Sequence, residues 1–279
     1  MTLRKAYIRY REHLPESEMM YAALEGFRQR GTETAPFYGF GDIEKLDDLG
    51  HDVGIVGFIG DVWTALDTLG IERPPSLDYP DELRNFLGRP LELAKLGDVR
   101  NRTSAGIFVK PIKQKLFTGF VLTGSFNDAI RLAPYSEDED VWLSPVVSFV
   151  SEYRCFILDG KILDARLYKG DWAKAPDREI VEAAIEAWTS APVAYTLDFG
   201  VTDTGRTLLV EVNDGFSAGH YGLLNVLYAQ FCEARWQQLT EPLLAQEGPV
   251  LIPGSEPITI GRTGFTAQEC YPLPRKQGR

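Results

Sequence analysis

One segment, residues 195–213, constrains the fold more than any other part of the chain. Apolar and polar residues alternate along 195–201 and again along 207–213, with Thr202-Asp203-Thr204-Gly205 between them. Alternation with period two marks a strand with one buried face. A polar, Gly-containing break between two such strands predicts a β-hairpin. Along the second strand Leu208, Val210 and Val212 fall on one face, and Glu211 and Asn213 on the other. If the hairpin closes at Thr202 and Gly205, Asp198 stands opposite Leu209, on the face of Glu211 and one diagonal step from it. Two carboxylates and an amide then converge above an apolar layer. Mg²⁺ takes oxygen ligands from a few protein groups and completes its shell with water or phosphate. Asp198, Glu211 and Asn213 are therefore candidate metal ligands. The plainer alternative is an amphipathic hairpin with a solvated acidic face. The Gly-containing exit over residues 214–219 lets the backbone pass close to a ligand.

A second hairpin is marked by Asp159-Gly160, a dipeptide suited to two-residue turns. It joins strand-rich residues 141–158 to residues 161–168. Glu152 and Arg154 share a face, against Tyr153, Cys155 and Ile157. Glu can accept from hydroxyls, and Arg can hold a phosphate or carboxylate as a fork. With a two-residue turn Arg154 pairs with Ala165 and Lys169 falls on its face. Arg166 then faces away unless a bulge intervenes. Upstream, residues 106–111 read as an apolar strand ending at Lys110-Pro111, followed by Lys113, Lys115 and the loop Phe117-Thr118-Gly119. A lysine there can hold nucleotide phosphates as a point charge. A surface lysine lying along apolar surface is the alternative. No Gly-x-x-x-x-Gly-Lys-Ser/Thr occurs, which excludes a P-loop.

The first part of the chain has a different texture. Strands are predicted at 6–10, 34–38 and 53–57. Helices are predicted at 18–30, capped by Ser17, and at 60–69. This alternation implies a small α/β domain with a parallel sheet. Pro74-Pro75 and Tyr79-Pro80 break the chain, and helices from about Asp81 and over 91–96 complete this half. Helices at 177–190 and 222–244 make the second half α+β with antiparallel sheets. The expected division is residues 1–100, 101–245 and a Pro- and Gly-rich tail, 246–279.

The charge balance, 29 Lys+Arg against 40 Asp+Glu, argues against nucleic-acid or anionic-membrane binding. Cys155, Cys232 and Cys270 are far apart and odd in number, so neither a disulfide framework nor zinc spacing is readable. With no signal peptide expected behind Met1 and no run of about 18 apolar residues, a cytoplasmic location is expected. His13, His51 and His220 are scattered, and no Ser/His/Asp or Cys/His arrangement is readable. His220 follows the candidate metal strand and reads as packing or loop polarity.

Taken in order, four short motifs resemble the ATP-grasp superfamily: Val109-Lys110-Pro111, the strand from Glu152 to Ile157, Asp198-x-Gly200, and Leu209-Val210-Glu211-Val212-Asn213. They are most similar to its clade named for two arginines and one lysine. The resemblance covers roughly residues 53–225. It implies a small α/β domain followed by two α+β subdomains that sandwich ATP. It places Lys110 on the α- and β-phosphates and Glu152 on the ribose. Val147 and Val150, in a strand over residues 146–150, would line the adenine pocket. Asp198, Glu211 and Asn213 would bind Mg²⁺, and Arg154 would steady the transferred phosphoryl group. For the second arginine of the clade, charge type favours Arg166 and the strand face favours Lys169. The implied activity is ATP- and Mg²⁺-dependent ligation of a carboxylate to an amine through an acylphosphate, with a peptide or protein among the substrates considered. The alternatives are a non-enzymatic nucleotide-binding module and a kinase on the same scaffold.

Overall fold

A computed structural model describes residues 2–100 and 106–246, the side chain of Gln246 excepted. The expected tail beyond Gln246, with Cys270, lies outside the described residues. The chain begins with β1 (Lys5–Arg11), β2 (Leu14–Pro15), α1 (Glu18–Gln29), β3 (Glu33–Phe37), α2 (Phe40–Ile43), β4 (Val53–Val56) and α3 (Ile59–Thr68). β1 is flanked by β3 and β4, both parallel to it, and β2 pairs antiparallel with its end. Ser17 is the N-cap of α1, but its hydroxyl turns to the Met20 sulfur rather than to the helix backbone. Met20, Ala23, Leu24 and Phe27 recur at helical spacing and bury one face of α1.

Residues Asp81–Phe86 form a 3-10 turn instead of the expected helix. The helix expected over 91–96 is instead β5 (Glu92–Lys95) followed by α4 (Leu96–Arg100). β5 pairs antiparallel with β8 (Asp140–Pro145), so an available strand partner overrides local helix propensity. Beyond it come β6 (Ile107–Pro111), β7 (Phe120–Leu122), α5 (Phe126–Leu132) and β8 (Asp140–Pro145). They form an antiparallel sheet in the order β5-β8-β6-β7. Residues 146–148 are an irregular connector, not the expected strand.

The rest is β9 (Phe149–Leu158), β10 (Lys161–Gly170), α6 (Arg178–Ala187), β11 (Ala194–Thr202), β12 (Thr207–Asp214) and α7 (Asn225–Gln246). The sheet order is β10-β9-β11-β12, again antiparallel. One face, with Cys155, Leu197, Phe199 and Leu209, packs with residues of α6 and the 3-10 turn. On the other face Phe156, Leu158 and Ala194 merge with the core of the parallel sheet, which Tyr228, Phe231 and Trp236 of α7 complete. The glycine of Asp198-x-Gly200 has a packing reason. A Cβ there would lie 2.2 Å from the Phe149 ring.

Candidate active site

Irregularities in the two hairpins decide which polar side chains meet. In β12, Asp198 pairs with Glu211 and Phe199 with Leu209, leaving Val210 as an extra residue. The expected diagonal placement, with Asp198 opposite Leu209, is therefore corrected. The bulge switches the alternation, so Leu209 and Val212 both enter the apolar layer while Glu211 stands directly across from Asp198. In β10 the register shifts at Leu163 and again at Tyr168. The first shift pairs Arg166 with Arg154 and moves Ala165 opposite Cys155. The second pairs Lys169 with Glu152. The expectation that Arg166 faces away fails for the reason that qualified it, a bulge.

A cleft of about 500 Å³ lies between the two antiparallel sheets. Lys110 of β6 and the loop with Lys113, Lys115 and Gly119 form one wall. Arg154, Glu211 and Asn213 form the other. The Lys110 Nζ lies 2.9 Å from Asp78 and donates to Glu211 at 3.1 Å. Asn213 donates to the other Glu211 oxygen at 3.1 Å. Arg154 donates as a fork to both oxygens of Asp198, at 2.9 and 2.7 Å. Its guanidinium also lies 4.9 Å from the ring centre of Tyr221 and 4.0 Å from Glu211. Lys110, Arg154, Glu211 and Asn213 thus converge on the cleft, with Asp198 buried beneath it at 1% exposure.

Val147, Val150, Glu152, Arg166 and Lys169 are not among the residues lining this cleft. Glu152 accepts from the Tyr168 hydroxyl at 2.8 Å and pairs with Lys169. Arg166 turns to Asp164 at 2.6 Å. Sequence reasoning missed Asp78, Tyr221 and Tyr79, whose ring centre lies 5.0 Å from the Lys110 Nζ. Asp78 and Tyr79 stand beside a Pro-rich break and share no spacing pattern with Lys110. Tyr221 lies in a loop with φ of +43°.

Charge and burial set the protonation of these groups. Burial alone would raise the Glu211 carboxyl, but the Lys110 ammonium and the Asn213 amide hold it below its ordinary value. Burial pushes Asp198 up to about 6, against the pull of Arg154. Burial lowers His220, whose ring meets that of Tyr228 edge-on. Cys155 lies in the core and its thiol is pushed up to about 12 by burial, as fits a packing residue.

The donor set suits a hard cation in part. Glu211 and Asn213 offer adjacent oxygen donors on the cleft wall. Asp198 has both oxygens committed to Arg154. Among the described residues no group of three His, Cys, Asp or Glu suits a metal ion. A cation here would have to draw further ligands from phosphate and water.

The fold recurs among known structures. D-alanine–D-alanine ligase from Bacillus anthracis, complexed with ATP, superposes with a TM-score of 0.53 at 16% identity, covering 89% of this chain and 100% of that one. The D-cycloserine synthetase DcsG gives 0.49 at 16% identity, covering 86% and 99%. The ATP-grasp ligase PsnB, complexed with minimal precursor, gives 0.47 at 13%, covering 88% and 99%. No curated protein sequence matches the chain. Residues 86–231, more than half of the chain, match the ATP-grasp domain of family 2 in the clade named for two arginines and one lysine. The chain belongs to that family, and its fold is the ATP-grasp fold.

Proposed function

We propose that the protein is an ATP- and Mg²⁺-dependent ligase that joins a carboxylate to an amine through an acylphosphate. The observation that carries this reading is the meeting of Lys110, Arg154, Glu211 and Asn213 from two facing sheets in one cleft. Lys110 holds the α- and β-phosphates as a point charge, leaving Glu211 and keeping Asp78 as its partner. Glu211 and Asn213 hold Mg²⁺, which when bound neutralises charge on the phosphates. Asp198 was expected among these ligands. Its geometry supports a different role, fixing the orientation of Arg154. Arg154 then meets the charge that develops on the transferred phosphoryl group.

The chemistry needs no covalent enzyme intermediate. A carboxylate oxygen bonds to the γ-phosphorus and ADP leaves. The amine nitrogen then bonds to the carbonyl carbon, inorganic phosphate leaves, and the nitrogen gives up a proton. The protein contributes positioning and charge stabilisation. Glu152 on the ribose, with Val147 and Val150 near the adenine, belongs to this proposal for the nucleotide-bound state. A peptide or protein end stands among the candidate substrates. A kinase using the same nucleotide site is the second reading, since Arg154 would serve phosphoryl transfer to a hydroxyl equally well. No described helix is long and apolar enough to cross a membrane. A cytoplasmic setting is part of the proposal.

Incubation with ATP and Mg²⁺ across a panel of amino acids and peptides tests the reading. ADP and free phosphate should appear only when an acid and an amine are both present. Phosphate transferred to a hydroxyl would establish the kinase instead. No ADP with any substrate, or full activity in Glu211→Ala, would overturn the site.

A further inference from the structure

The bulge at Val210 is held from outside its sheet. Among the described residues β12 is an end strand, with no strand partner on one of its edges. Residues before β5 cover that edge. The Val212 N–H donates to the Asp78 carbonyl at 3.2 Å. Arg89 Nη1 donates to the Leu209 carbonyl at 2.8 Å and to the Leu87 carbonyl at 3.0 Å, and Nη2 donates to the Val210 carbonyl at 3.0 Å. In a regular strand, successive carbonyls point to opposite edges. Here one guanidinium reaches both, because the extra residue turns them to the same side.

The approach of Arg89 depends on its neighbour. Gly88 has φ of +61°, and a Cβ there would lie 2.5 Å from the Leu208 side chain. The positive φ favours glycine there, and a Cβ would make the Leu208 side chain shift. Leu87 is buried and anchors the turn on its other side.

We propose that Arg89 is a positioning residue for the metal-binding carboxylate. Its fork fixes the Val210 bulge, and the bulge sets Glu211 directly across from Asp198 while Leu209 joins Val212 in the core. A bulge-free β12 would keep Glu211 and Asn213 on the cleft face, but would leave Glu211 one diagonal step from Asp198 and turn Leu209 into the cleft. The inference rests on reading Glu211 and Asn213 as metal ligands. A residue that merely capped a strand edge would change stability and leave metal affinity alone.

Mn²⁺ is the probe, titrated onto the 279-residue chain with ADP present and followed by water-proton relaxation. ADP binding without metal is measured in parallel by calorimetry. Arg89→Ala is expected to weaken Mn²⁺ binding by about tenfold or more, the range for groups that orient metal ligands, with metal-free ADP binding unchanged. Guanidinium ion should restore Mn²⁺ binding in Arg89→Ala and not in Glu211→Gln. Arg89→Lys keeps the charge but cannot fork across two carbonyls. It should show the same loss, and it carries the test if Arg89→Ala does not fold. Mn²⁺ affinity equal to wild type in the folded variants overturns the proposal. So does a loss matched by an equal loss of metal-free ADP binding. A wild-type chain that takes up no Mn²⁺ overturns the metal reading of Glu211 as well.

Discussion

Arg9 and Arg154 each face two carboxylates, yet their surroundings differ. Arg9 donates to Glu16 at 2.7 Å and to Asp61 at 2.6 Å. The other Glu16 oxygen pairs with Arg11, and the other Asp61 oxygen accepts from the Phe58 N–H at the start of α3. All four oxygens are satisfied, and Glu16 and Asp61 are nearly inaccessible. Around Arg154, Asp198 is equally closed, but the Glu211 side chain is 31% exposed. Its partners, Lys110 and Asn213, themselves line the cleft. They can be exchanged for a ligand's groups without opening the core. Exchangeable partners, more than the presence of buried charge, separate the candidate site from a structural ion cluster.

The sharpest way to break this comparison is to remove one carboxylate from each arginine. Asp198→Ala should cost about 3–5 kcal/mol in urea unfolding, since it leaves a largely buried guanidinium without its hydrogen-bonded carboxylate, and Asp61→Ala should cost less, because Arg9 keeps Glu16 at 2.7 Å. Only Asp198→Ala should also weaken binding of a non-hydrolysable ATP analogue when both are measured under folding conditions. Weaker binding of the analogue in Asp61→Ala would show that the Arg9 cluster belongs to the site after all.

Next in size is the exchangeable carboxylate. Glu211→Gln should lower kcat/KM on the order of 10²–10³-fold, the cost of one well-placed electrostatic group. Glu16→Gln should leave steady-state turnover unchanged. Equal losses would erase the distinction between the two clusters.

The contrast also explains what the sequence could and could not show. Period-two alternation identified both hairpins, and the order of Lys110, Glu152-x-Arg154 and Glu211-x-Asn213 pointed to the family later matched over residues 86–231. Alternation then misassigned pairings wherever a bulge occurs, because Leu163, Tyr168 and Val210 carry no local mark of being extra. Arg89 grips the Val210 carbonyl from 121 residues away in the chain, a contact that no local pattern announces. Residues 92–95 became a strand through pairing with β8. Asp78 and the Arg9 cluster depend on tertiary placement in the same way.

Acid sharpens the comparison further. The Arg9 hydrogen bond holds the Glu16 carboxyl below its ordinary value, against burial, with the charges of Arg9 and Arg11 adding to it. An unfolded Glu, near about 4.3, binds protons that folded Glu16 refuses. The stabilisation is therefore fully present above that value and is lost as pH falls through the depressed folded value. Urea midpoints of wild type and Glu16→Gln should differ at neutral pH and draw together in acid. A gap that widens on acidification would contradict the assignment.

The smallest effects decide between the two candidate second basic residues. Lys169 is 65% exposed and pairs with Glu152, and Arg166 is 39% exposed and pairs with Asp164. Exposed ion pairs contribute about 0–1 kcal/mol, so neither Lys169→Ala nor Arg166→Ala should shift the unfolding midpoint much. Stability thus offers a quiet background against which activity can be read. Glu152 is the proposed ribose ligand, and Lys169 now occupies one of its oxygens. Removing Lys169 should therefore change KM for ATP. Arg166 lies across from Arg154, so its removal should act on kcat if it reaches the transferred phosphoryl group. A change in KM alone in Lys169→Ala, with Arg166→Ala silent, leaves the site with one arginine and one lysine at these positions. A kcat loss in Arg166→Ala restores the second arginine and requires its guanidinium to leave Asp164 when substrate is bound.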